Sequence, residues 1–297
     1  MRAFAWFVAA LLLAAAALAV FAYPGYLLAA HLGAWPFHRV AGRIAMLILA
    51  LELVWLARHL GIRSKRDFGY GLPRRRFVVQ AALWALAGTA TAAAGAAFLL
   101  DARLRVAAPG FVPAPATLAH LLAGGLASGI AVALIEETVF RGALHAAIAR
   151  ESGTAAAVLL TAPLFAVLHF FAKASIPPAE LGWHSGTDLL VRSFAPLGAP
   201  SVVGDAFLAW LAVALVLSLT RVLTGNIAVA IGLHSGWVLV LRVLQESTVR
   251  GSSPAHAVWV GRFDGLLGYW LVPWAAAIGA ALWFTRRGWV PAARSTH

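Results

Sequence analysis

The chain has no cysteine, only two methionines, and only 11 acidic residues among 297. Without cysteine there is no disulfide, no thiol nucleophile and no thiolate metal site. Charged residues of either sign make up 11% of the chain, where a soluble domain carries about 25%. A water-exposed surface cannot be built from so few charges, which excludes an ordinary soluble domain. Of the charges present, 23 are Lys or Arg, giving a net charge of +12. That excess invites a nucleic-acid reading, but the basic residues sit at the ends of apolar runs. Such placement is expected of cytoplasmic flanks of membrane spans and argues against a nucleic-acid partner.

What is abundant is apolar surface: 62% of residues are hydrophobic and the mean hydropathy is +0.85. The expectation is an all-α, polytopic membrane bundle forming one domain over residues 1–297. About 20 apolar residues are needed to cross the hydrocarbon. On that criterion eight spans are expected, near 3–30, 41–58, 77–100, 117–149, 154–173, 202–224, 226–245 and 266–285. The first is too long for a signal-peptide core, so it reads as a helix, with a break expected at Pro24 and Gly25. The long segment 174–200, with Pro177, Pro178, Pro196 and Pro200, has room for a re-entrant or surface helix.

Orientation follows from Lys and Arg. Arg58, Arg63, Lys65, Arg66, Arg74, Arg75 and Arg76 lie between spans two and three, and Arg286, Arg287 and Arg294 follow the last span. With eight spans both groups share a side with Arg2, which puts both termini in the cytoplasm, as in a bacterial-type inner membrane. Lys173 is among the sparser basic residues of the opposite side.

Ionisable residues inside such spans are expensive and need a partner or a water-filled cavity. Glu136 and Glu137 are adjacent within one span, followed by Arg141 and His145. Residues four apart share a helix face, so Arg141 is placed to neutralise Glu137. Glu136 points about 100° away and has no local partner. Glu52, His169 and His234 are the other ionisable residues deep in a span. At ~1.5 Å rise per residue, Glu136, His169 and His234 all fall roughly 20–22 Å from the Arg-rich end. Glu52 is expected to make a hydrogen bond within the bundle. Gly125 and Gly129 are expected to serve helix packing alone.

A carboxylate and two histidines at one level suit hydrolysis. The carboxylate activates water as a general base, one histidine shares that water, and the other donates to the oxyanion. The motifs around them resemble those of a known family. Glu136-Glu137-x-x-x-Arg141-Gly142-x-Leu144 resembles the first motif of the CPBP (CAAX protease and bacteriocin-processing, or abortive-infection) family of intramembrane glutamic endopeptidases, related to type II CAAX prenyl proteases. Phe165-x-x-x-His169 is similar to the second motif, and Asn226 through His234-Ser235-Gly236-Trp237 to the third. Together they span a motif core of residues 117–245.

The resemblance implies that Glu136, His169 and His234 are catalytic: Glu136 as base, His169 as its partner on the water, and His234 at the oxyanion. It implies supporting roles for Glu137, Arg141 and Phe165, no cofactor, and a membrane-bound or lipidated protein or peptide as substrate. One departure stands out. Many members carry asparagine four residues after the third-motif histidine, where this chain has Val238. Losing such a donor costs about 2.7–4 kcal/mol in rate, unless Ser235 or a backbone N–H substitutes.

Three alternatives stay open. One is a catalytically impaired scaffold or immunity protein of the same fold, since Val238 is what partial decay looks like. Another is a zinc-dependent membrane protease, although the helical His-Glu-x-x-His pattern is missing. The third is a transporter, although the two-half symmetry common in that class is not visible. A serine protease lacks a histidine suitably spaced from Ser128, and an aspartyl one would rest on Asp205, near a span end.

Overall fold

The computed structural model describes residues 1–170, 175–253 and 257–286. Arg287 and Arg294 of the C-terminal basic tail, and Lys173, lie outside the described residues. The fold is helical: α1 (Arg2–Ala30), α2 (Phe37–His59), α3 (Arg74–Asp101), α4 (Pro115–Glu137), a π-helical turn (Thr138–Leu144), α5 (His145–Leu168), α6 (Ser185–Phe194), α7 (Pro200–Thr224), α8 (Ala228–Ser247), α9 (Ala257–Val260) and α10 (Leu271–Thr285). Two three-residue strands, β1 (Arg105–Ala107) and β2 (Thr248–Arg250), pair antiparallel at one end of the bundle.

Six helical segments are long and apolar enough to cross a membrane, against the eight spans expected. One of the six, Pro115–Leu168, is 54 residues long and bends back on itself. Glu136 and His169 are 33 positions apart, which a straight helix would separate by about 50 Å, yet their side chains lie 3.8 Å apart. The reversal occurs at Gly153, whose φ of 87° and ψ of 163° lie outside the helical region. Its return arm, 154–168, and α10 are each 15 residues. At about 22 Å they fall short of the ~30 Å hydrocarbon core.

Three other expectations change. α1 runs unbroken through Pro24, braced where Gly25 lies against Ile44 of α2. The last helix starts at Leu271 and not at 266, because Asp264 Oδ1 accepts the N–H groups of Leu266 and Leu267 and holds that stretch in a turn. The fifth span ends at Leu168, so His169 caps a helix end and is not inside a helix. The 174–200 segment does contain a helix, α6, whose Gly186 lies against the backbone of Ala19, eleven residues short of the end of α1.

Two close approaches position the site. A side chain at Gly129 of α4 would bring its Cβ to 2.5 Å from the Ser235 carbonyl of α8, and one at Gly236 would put Cβ 2.8 Å from the Gly88 carbonyl carbon of α3. Glycine at these points lets α8 lie backbone to backbone against both α3 and α4. α8 begins where Asn226 Oδ1 accepts the Ala228 N–H at 2.9 Å. Its first nine residues, Ala228–Gly236, are all buried.

The bundle has two distinct ends. At one, Glu151 holds the N-terminal amine at 3.0 Å, Arg150 pairs with Asp67 at 2.5 Å, and the Ile227 N–H donates to Gly69. This end carries Arg58, Arg63, Lys65, Arg66 and Arg74–Arg76. At the other, buried Arg105 donates to the Thr248 hydroxyl and carbonyl, both at 2.6 Å, and to the Gly265 carbonyl.

Candidate active site

Glu136 and Glu137 end α4, and the π-helical turn follows at once. A π-turn inserts one residue into the helical repeat and is frequent at functional sites. Here Gly142 lies against the Phe68 carbonyl, where a Cβ would come within 2.7 Å. The Tyr70 hydroxyl bonds the Thr138 hydroxyl at 2.6 Å, so the 60–72 loop supports the turn from the Arg-rich end.

Glu137 is fully buried. Its Oε1 meets Arg141 Nη1 at 3.2 Å and His234 Nδ1 at 2.8 Å. Arg141 is 1% exposed and donates through Nη2 to the Ala214 carbonyl at 3.0 Å. Its own carbonyl accepts Arg221 Nε at 3.0 Å. The guanidinium stacks over Phe165, with Cζ 4.3 Å from the ring centroid, a cation–π contact strengthened by desolvation. Glu137 is thus paired with Arg141 and His234, the condition on which buried ions are tolerated, while Glu137 Oε2 and Arg141 Nε make no hydrogen bond.

Glu136 is different. Its side chain is 28% exposed, and its Oε2 has no hydrogen-bond partner. That oxygen lies 3.8 Å from His169 Nε2 and 3.9 Å from His234 Nε2. Both distances are too long for direct hydrogen bonds and suit a bridging water, which would sit ~2.8 Å from each partner. His169 Nδ1 lies 2.8 Å from the Phe165 carbonyl. A carbonyl only accepts, so that nitrogen carries the proton and Nε2 of the neutral ring turns a lone pair toward Glu136.

The structure thus brings together the three residues read as catalytic and the three read as supporting. It also adds residues the sequence did not single out. Trp210 of α7 lies against the His169 ring at 3.8 Å between centroids and 31° between planes, fixing its rotation. As one of 12 tryptophans in an apolar helix, it carried no distinguishing signal. Arg221 and the Ala214 carbonyl were equally silent, because each meets Arg141 across more than 70 positions of sequence.

The other candidates sort themselves out. Val238 and His234 line one narrow cleft of about 70 Å³, otherwise walled by apolar and tryptophan side chains such as Trp237, Leu241, Trp270 and Trp274. Ser235, a candidate to replace the missing asparagine, donates its hydroxyl to the Ile231 carbonyl of its own helix at 2.7 Å. Ser128 is spent in the same way on Gly125. Asp205 accepts the Arg262 N–H at 3.1 Å, in the loop before α10. Glu52, expected to hydrogen-bond within the bundle, has no partner for its buried Oε2 among the described residues. Among the described residues, no group of three or more His, Asp or Glu side chains is arranged to hold a metal ion.

Compared with known proteins, residues 118–240 match the family of type II CAAX prenyl endopeptidase Rce1-like proteins. No curated protein and no solved structure matches the chain.

Proposed function

Residues 118–240 belong to the Rce1-like family of type II CAAX prenyl endopeptidases, and on that premise we propose that the chain is an intramembrane glutamic endopeptidase. Its protease character and its membrane setting come with the family and with the six apolar helices. The glutamate mechanism is our reading. The observation that carries it is Glu136 Oε2, which makes no hydrogen bond and faces the Nε2 atoms of two histidines at 3.8 and 3.9 Å.

In this reading a water donates one proton to Glu136 and the other to His169 Nε2, both acceptors. Its own lone pair then points outward at the scissile carbonyl. Glu136 takes the proton as the C–O bond forms and passes it to the leaving amine as the C–N bond breaks. His234, its Nδ1 held by Glu137, offers an Nε2–H to the oxyanion when doubly protonated. Glu137, Arg141, Phe165 and Trp210 hold these groups in place without touching the reacting atoms.

The substrate class follows from the setting: a membrane-bound or lipidated protein or peptide, which meets Glu136 at bilayer depth. We place the Arg-rich end, and with it both termini, in the cytoplasm on the Lys/Arg bias. A direct test uses the purified protein in detergent, a prenylated peptide reporter, and water labelled with heavy oxygen. Cleavage that persists with chelators and places the label in the new carboxylate supports the reading. Activity lost on zinc removal and restored on its return would establish the metalloprotease instead.

A further inference from the structure

A second polar site lies at the Arg-rich end, apart from the catalytic groups. The sequence places Arg63, Lys65 and Arg66 between α2 and α3, and Arg58 and Arg74–Arg76 at the adjoining helix ends, with one acidic residue, Asp67, among them. The fold draws some of these toward α5 and the end of α7. The result is an open pocket of about 450 Å³ lined by Arg66, Arg150, Arg221 and His145, with Asp67, Val222 and Gly225 at its walls.

The charges here are not balanced by one another. Asp67 is committed to Arg150 at 2.5 Å and to the backbone N–H groups of Arg63 and Ser64. The nearby Glu151 is taken by the N-terminal amine and the N–H groups of Arg2 and Ala3. Arg221 spends its donors on carbonyls, those of Arg141 and Gly225, which leave its charge intact. Arg66 has no ion pair among the described residues. His145 is 5% exposed, and its Nδ1 makes no hydrogen bond. Burying a polar ring without a partner costs free energy, and gathering three guanidiniums around one carboxylate adds repulsion. An occupant with negative charge and several acceptor oxygens answers both.

We propose that this pocket binds a phosphate group, with the anionic headgroup of a membrane phospholipid as its first source and free phosphate as its second. The level of the pocket favours the lipid. It opens at the helix ends of α5 and α7, where headgroups lie, and basic pockets between helix ends are the usual form of anionic-lipid sites. A lipid phosphodiester offers two anionic acceptor oxygens to the arginine forks, and free phosphate four, in the geometry guanidinium groups match best. An occupant would also contact Arg221, whose Nε holds the Arg141 carbonyl at 3.0 Å. Occupancy thereby braces the turn that carries the catalytic lattice.

The test is a thermal-stability titration of the full chain in phosphatidylcholine nanodiscs with rising phosphatidylglycerol, beside a series with inorganic phosphate alone. Four variants accompany it. Arg66→Glu and Val222→Glu place negative charge on the pocket wall at exposed positions that pack nothing in the core. Lys65→Glu and Arg74→Glu make the same or a like change on the same end but outside the pocket. We expect phosphatidylglycerol to raise the melting temperature. The two pocket variants should need roughly fivefold more anionic lipid per basic charge cancelled, and the two controls should match the parent. If inorganic phosphate alone reproduces the shift with the same variant pattern, the source is soluble and the site stands. If all four variants shift alike, or if neither anion stabilises the parent, the site is overturned.

Discussion

The α1–α2 and α7–α8 hairpins look alike in composition and behave as opposites in the fold. In the most apolar stretch of α1 and of α2, 11% and 22% of residues are buried; in α7 and α8 the shares are 50% and 56%. The more apolar pair lies outside and the less apolar pair lies in the middle. In water this order would be reversed. In a bilayer, lipid tails are as apolar as leucine, so hydrophobicity gives a helix no reason to leave the lipid. What draws a helix inward is a polar group that lipid cannot satisfy or a glycine that permits close approach. α7 and α8 carry Ser218, Thr220, Arg221, Gly232, His234, Ser235 and Gly236. α1 has no charged residue after Arg2.

This contrast can be broken at four places, taken here from the largest expected effect down. Arg141→Ala strands Glu137 and His234 in the middle of the bundle. It should cost about 3–5 kcal/mol, read as a lower melting temperature together with lost activity. A stable but inactive Arg141→Ala would move this residue into substrate binding. Gly129→Val forces a side chain into the Ser235 carbonyl across α4 and α8. It should cost about 3 kcal/mol and depress turnover, because the two glutamates and His234 sit on the helices it pushes apart.

Val238→Asn sharpens the contrast on the side of activity. Position 238 shares a face and a cleft with His234, so an asparagine there points toward the oxyanion. Single-turnover rates should rise by up to ~100-fold, at a stability cost of about 1–3 kcal/mol for the unpaired amide. No change in either would revert His234 to a structural histidine. Leu13→Ala on α1, where the side chain is 63% exposed, should move the melting point by no more than about 0.5 kcal/mol in equivalent stability.

The motif residues were legible because polar groups in apolar spans are few, and each must be explained. The Glu137–Arg141 pairing followed from a spacing of four, and the common depth of Glu136, His169 and His234 from counting residues. Much of the surrounding geometry was not legible. Gly153 looks like any loop glycine until its φ of 87° reverses a 54-residue helix. That His169 ends a helix, and does not lie within one, depends on a bond between its ring and the Phe165 carbonyl, which no periodicity encodes. Trp210 and Arg221 act across elements far apart in sequence, where a single chain offers no signal. Glu52 stands as a buried carboxylate oxygen without a partner, and we have no physical account of it.

The central claim is that the two adjacent glutamates divide the work, Glu137 holding the lattice and Glu136 activating water. It is tested most directly by comparing Glu136→Gln with Glu137→Gln in one reconstituted preparation, measuring melting temperature and single-turnover peptide cleavage for each. The account predicts that Glu136→Gln melts within a degree or so of the parent, in keeping with the roughly ±0.5 kcal/mol of a change that breaks no packed contact, and cleaves nothing. Glu137→Gln, which uncouples Arg141 and His234, should melt clearly lower. Cleavage that survives in Glu136→Gln, or a melting loss that falls on Glu136→Gln and spares Glu137→Gln, would contradict it.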